Sequence, residues 1–154
     1  MNYKEFKDLS KLEQTEVFES QTKRKKFLSK RLYGIGVCDV DFPIILNFEG
    51  KQAVCPAYTT WQNMLRRCYY TKNTTNYSPA TVCDEWHKFS NFLEWWKLNH
   101  VETWELDKDF RSLLMFQDTC TKLYSPETCR FIPKWMNLVH RNRDGKLLNI
   151  GQAA

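Results

Sequence analysis

The sequence predicts an α+β fold in which helices pack around short strands and the last third runs strand, long loop, strand, helix. Three observations carry this. The segments Pro56–Tyr69 and Asp84–Asn99 place apolar residues at helical spacing. Short β-branched or aromatic runs bounded by Gly and Pro lie around them. Hydrophobic residues make up 42% of the 154 residues and aromatic residues 15%. That apolar content can offset the entropy of ordering the chain and argues against disorder.

Residues 3–32 read as mostly helical, because Tyr3, Phe6, Leu9 and Leu12 recur at a spacing of three. A basic block follows: Lys23, Arg24, Lys25, Lys26, Lys30 and Arg31. It is either a solvated helix face or an arm laid on a phosphate backbone. Residues 1–32 are therefore set apart as a helical, basic N-terminal extension. The main domain is expected over 33–144, and 145–154 form a tail.

Tyr33-Gly-Ile-Gly-Val37 breaks the helix. Extended structure is expected over Val37–Leu46, interrupted at Pro43, with a turn at Gly50. Pro56 suits a first helical turn. Tyr58, Trp61, Met64, Leu65 and Cys68 then make one apolar face, with Arg66 and Arg67 off it. Residues 72–79 are a Thr-, Asn- and Ser-rich loop. In Asp84–Asn99 the inward residues are Trp86, Phe89, Phe92, Leu93 and Trp96, read as core rather than as base-stacking platforms. Trp104–Asp107 and Cys129–Ile132 are short strands, and Lys134–Arg143 is a helix behind Pro133.

Charge and targeting narrow the function. Lys and Arg number 23 against 18 Asp and Glu, a formal charge of +5. That excess favours a polyanionic partner. The polar start lacks a signal-type apolar core, and no apolar run is long enough to span a bilayer. A cytoplasmic protein with no membrane partner is expected. Cys38, Cys55, Cys68, Cys83, Cys120 and Cys129 are then read as free thiols in or near the core. A zinc site built from distant cysteines with His87 or His140 is the alternative.

The last third could carry chemistry. Asp107 and Asp109 are two apart and share one face of an extended segment. Asn137 and His140 are three apart on one helix face, which Arg141 continues. A hairpin packed on that helix would gather a carboxylate, an amide and an imidazole around one divalent ion, suited to phosphodiester cleavage. Otherwise Leu106-Asp-Lys-Asp109 is a surface turn with local ion pairs.

Several strings, taken in order, resemble small phage proteins classed as HNH-type endonucleases. They are Tyr33-Gly-Ile-Gly-Val37, Cys55-Pro-Ala-Tyr-Thr-Thr-Trp-Gln-Asn-Met-Leu-Arg-Arg-Cys-Tyr69, Thr81-Val-Cys-Asp-Glu-Trp86 with Phe89 and Phe92, Leu106-Asp-Lys-Asp109, and Tyr124-Ser-Pro-Glu-Thr-Cys-Arg-Phe-Ile-Pro133. The resemblance covers residues 33–140. It implies a ββα-metal hairpin–helix unit near 104–142 that nicks or cuts DNA in the host cytoplasm, with magnesium or manganese and no organic cofactor. By position, Asp107 and Asn137 are the implied metal ligands.

The chain departs from that pattern. Lys108 stands where the family has its general-base histidine, and no His occurs between Val101 and Val139. No Asn occurs between Asp109 and Met136 to brace the loop. The catalytic set carried forward is Asp107, Lys108 and His140. The nucleic-acid-binding set is Lys23, Arg24, Lys25, Lys26, Lys30, Arg31, Arg66, Arg67 and Arg141. DNA is the expected substrate ahead of RNA. The alternative is an inactive HNH-derived protein that binds DNA or a host protein.

Overall fold

The computed structural model describes residues 1–21, 30–70, 80–108 and 123–136. Its elements run α1 (Tyr3–Lys7), α2 (Lys11–Glu19), β1 (Ile45–Phe48), β2 (Lys51–Val54), α3 (Pro56–Tyr69), β3 (Thr81–Val82), a 3₁₀ turn (Asp84–His87), α4 (Phe89–Asn99), β4 (Glu105–Asp107), β5 (Leu123–Tyr124) and β6 (Arg130–Ile132). The fold is α+β. Its strands form three separate two-stranded sheets: β1–β2, β3–β5 and β4–β6.

The single N-terminal helix expected from the Tyr3, Phe6, Leu9, Leu12 spacing is two helices instead. Polar signals override the apolar period. Asn2 and Glu5 form one capping box and Ser10 and Glu13 form another, so a new helix starts at Lys11. Gln14 of α2 donates to the Phe6 and Leu9 carbonyls at 3.1 and 3.2 Å, satisfying the end of α1. Phe6 and Phe18 are fully buried and belong to the same hydrophobic cluster as α3 and α4. Lys97 pairs with Glu19 at 3.0 Å, and the Lys11 main-chain N–H donates to Glu102 at 2.9 Å. Helix is not found at Leu32 either, where a turn over Leu32–Gly36 is closed by a bridge between its ends.

Strand structure expected over Val37–Leu46 lies further on. Val37 makes only an isolated bridge to Lys88. The hairpin pairs Ile45 with Val54 and Phe48 with Lys51, and it turns at Glu49 and Gly50. Both turn residues have positive φ, 52° and 89°, the left-handed backbone region that a type I′ two-residue turn uses to match the right-handed twist of its strands. Asn47 caps the turn by accepting from the Gly50 N–H at 2.8 Å.

Helix α3 spans the predicted residues, and Trp61, Met64, Leu65 and Cys68 are buried along it. The helix expected over Asp84–Asn99 is broken at Lys88, whose backbone is extended (φ −98°, ψ 127°). The break lets Val37 exchange main-chain hydrogen bonds with His87 and Phe89. Helix α4 has no cap of its own, and Asp39 supplies one by accepting from the Ser90 N–H and hydroxyl. Trp61 donates its indole N–H to the Trp86 carbonyl at 2.7 Å, joining α3 to the 3₁₀ turn in the core. Gly36 packs on α3 so closely that a Cβ there would lie 2.5 Å from Leu65 Cδ1.

In the last third, β4 and β6 pair antiparallel, with Glu105 opposite Ile132, Leu106 opposite Phe131 and Asp107 opposite Arg130. Strand β5 pairs parallel with β3. Pro133 accepts from the Met136 N–H at 3.0 Å in a first helical turn over residues 134–136. The remainder of the expected helix, with Leu138 and Val139, lies outside the described residues. No helix among the described residues is long and apolar enough to cross a membrane.

Candidate functional site

Strand β4 ends at Asp107, which is buried at 6% exposure. Placing a carboxylate there is costly unless partners hold it. Its register partner Arg130 sits across the hairpin. Its charge also reaches the Cys129 thiol, which burial pushes up to about 12 against hydrogen bonding from Ser125 and Thr128, with Asp107 adding to the rise and Lys108 opposing it.

Lys108 follows at the mouth of the strand, half-buried, with its ammonium 5.8 Å from the centroid of the Tyr124 ring. An aromatic face attracts a cation. Arg67, in the last turn of α3, brings its charge to the same phenol. Burial pushes the Tyr124 phenol upward, and the charges of Arg67 and Lys108 pull it back. The neighbouring Cys68 thiol is raised to about 11 by burial, again against Lys108 and Arg67. One corner therefore holds Asp107, Lys108, Arg67 and Tyr124 over two buried thiols.

Turn chemistry fixes Tyr124. The Ser125 N–H donates to Thr128 Oγ1 at 3.1 Å, and the Thr128 hydroxyl donates to the Leu123 carbonyl at 2.7 Å. Cys83 donates its main-chain N–H to the Tyr124 carbonyl at 2.9 Å, and Val82 donates its own to the Tyr69 hydroxyl at 2.9 Å. The C-terminal end of α3, β3 and β5 are thus tied together behind the corner.

Of the basic residues chosen from the sequence, Arg66 and Arg67 are exposed in the last turn of α3. Lys30 and Arg31 are exposed just before the Leu32–Gly36 turn. Tyr33 in that turn packs on Tyr70 with ring centroids 6.1 Å apart, which brings the turn to the same end of α3. Lys23, Arg24, Lys25, Lys26, Asp109, Asn137, His140 and Arg141 lie outside the described residues.

Asp107 and Asn137 would offer a carboxylate and an amide oxygen. These are hard donors that fit magnesium or manganese. Among the described residues, no group of three or more His, Cys, Asp and Glu could hold a metal ion. Cys38, Cys55, Cys68, Cys83 and Cys129 are free thiols.

Sequence reasoning missed a groove of about 460 Å³ between the N-terminal helices, α3, β4 and β6. Lys7, Lys11, Thr59, Asn63, Arg67, His100 and Trp104 are among its lining residues. They come from three separate stretches, so no local spacing could have announced them. Compared with known families, curated proteins and solved structures, the chain gives no match.

Proposed function

We propose that this chain is an HNH-like protein acting on DNA, with metal-dependent nicking at the end of β4. The observation that carries the reading is the corner itself. A buried carboxylate, Asp107, closes an antiparallel hairpin while Lys108 and Arg67 converge on Tyr124 beside it. A divalent ion on Asp107 and Asn137 would polarise the scissile phosphate and stabilise the leaving oxygen. Arg67 and Lys108 would hold the phosphate by charge. Arg66, Lys30 and Arg31 would extend the contact along the backbone. His140 is the side chain proposed to take the proton from water. Such work belongs in the cytoplasm of a host cell, where DNA is reached without crossing a membrane.

The position of Lys108 on the Tyr124 ring favours a second reading. There the fold binds DNA or a host protein and cuts nothing, because the family's histidine is replaced by a fixed cation. One experiment decides between them. Supercoiled plasmid is incubated with the protein and magnesium or manganese, with Asp107→Asn as control. Metal-dependent relaxation that the control lacks supports the nuclease. DNA binding without relaxation leaves the binding protein, and absence of both removes the nucleic-acid reading.

A further inference from the structure

The groove adjoins the corner. Arg67 lines it and also brings its charge to Tyr124. A volume of about 460 Å³ falls within the roughly 300–1,000 Å³ common for small-ligand sites. Lys7, Lys11 and Arg67 contribute three cations against the single carboxylate of Glu105. Trp104, 37% exposed, supplies an aromatic surface in the same lining. It is presented by Thr103 at φ 70°, a costly conformation for a β-branched residue and of a kind that clusters at functional sites.

His100 adds a buried polar group to this lining. Its side chain is only 7% exposed and stacks on Trp96 at 4.2 Å between centroids. Nε2 faces the Glu102 carboxylate at 3.4 Å, so Nε2 carries the proton and Nδ1 is left as an acceptor. Nδ1 is itself buried and has no hydrogen-bond partner among the described residues.

We propose that this groove binds one unpaired nucleotide of a DNA strand, with its phosphate on Lys7, Lys11 and Arg67 and its base face on Trp104. A basic channel joined to an aromatic platform is how single strands are held without base-edge readout. In a duplex both base faces are covered by stacking, so only an unpaired base can offer its face to Trp104. The inference rests on the nucleic-acid reading above and narrows it to DNA that is locally single-stranded next to the corner.

The test is fluorescence anisotropy with a short labelled single strand and with the same sequence as a blunt duplex. Trp104→Ala should weaken single-strand binding by about tenfold, and Trp104→Phe should keep most of it. Duplex binding should change by less than about twofold in both. Lys7→Gln combined with Lys11→Gln should weaken single-strand binding and flatten its salt dependence. These residues are exposed or partly so, and circular dichroism verifies that each variant folds. Single-strand binding that ignores both sets of substitutions overturns the inference, as does an equal loss for both DNA forms. Duplex binding without single-strand binding also overturns it but leaves the proposed function standing. Failure to bind either form removes both.

Discussion

Arg67 on α3, although exposed, brings its charge to the buried phenol of Tyr124 on β5. The two residues should respond differently to substitution. On the proposed function, Arg67→Gln removes a charge that would face phosphate, so DNA affinity should fall and the slope of log K against log salt become shallower by about 0.9. Tyr124→Phe keeps the charge and removes the phenolic oxygen beside it. Affinity should fall several-fold with the slope unchanged. Binding titrations across a salt series separate the two.

Lys108 occupies the position where the resemblance places an imidazole. If the remaining geometry is that of a nuclease, Lys108→His restores a general base, and nicking should rise by on the order of 10²-fold. Asp107→Asn should abolish nicking both alone and combined with Lys108→His. The near-isosteric change at a buried site should leave the circular dichroism spectrum unaltered. Initial rates of plasmid relaxation give both results. No rise in the histidine variant would point to the binding reading.

Gly36 tests the packing of the Leu32–Gly36 turn on α3. A Cβ would meet Leu65 Cδ1 at 2.5 Å and the Trp61 ring at 3.0 and 3.1 Å. Gly36→Ala should therefore cost about 1–3 kcal/mol through overpacking. Leu65→Val removes the clashing reach, so the two changes together should cost less than the sum of the separate costs. Urea denaturation of the four chains in the cycle measures the difference.

His100 predicts a dependence of stability on pH. Burial lowers its folded pKa below the ordinary 6.5, opposed by Glu102 and assisted by Lys11. The unfolded chain therefore takes up a proton before the folded chain does. The contribution of this group is complete above about pH 6.5 and is lost as pH falls through the folded value. The slope cannot exceed about 1.4 kcal/mol per pH unit for one proton. His100→Gln should flatten this part of the profile between pH 7.5 and 5, measured by urea midpoints.

The sequence was most legible where periodicity and burial agree. Helix α3 and the inward set Trp86, Phe89, Phe92, Leu93 and Trp96 follow from spacing, and all of those side chains are buried, as are Trp61, Met64, Leu65 and Cys68. The strands near 105 and 131 were placed from the sequence, but their pairing was one of two readings there, the other being a surface turn at Leu106-Asp-Lys-Asp109. Helix continuity was not legible. The capping boxes at Asn2 and Ser10 were present in the sequence and outweigh the apolar period. The break at Lys88 depends on hydrogen bonds from Val37, about 50 residues earlier, which no local pattern reveals. At the site, Asp107 was identified from its strand end. Tyr124 entered only within a resembling string, and its role depends on Arg67 arriving from another helix.

The parallel seam between Thr81–Val82 and Leu123–Tyr124 joins short strands about 40 residues apart in sequence. Two residues per strand give this ladder little strength of its own, and the chain entropy of closing it must be met by contacts made elsewhere. It should therefore form late in folding and open early in native-state fluctuations, ahead of the buried core around Trp61 and Trp86. Each opening releases Tyr124 from its place beside Arg67 and Lys108. Hydrogen exchange at the Cys83 amide, which donates to the Tyr124 carbonyl, would report how often the corner is assembled. DNA bound across Arg67 and Lys108 would slow that exchange, so occupancy of the surface and closure of the seam would be read from one backbone proton.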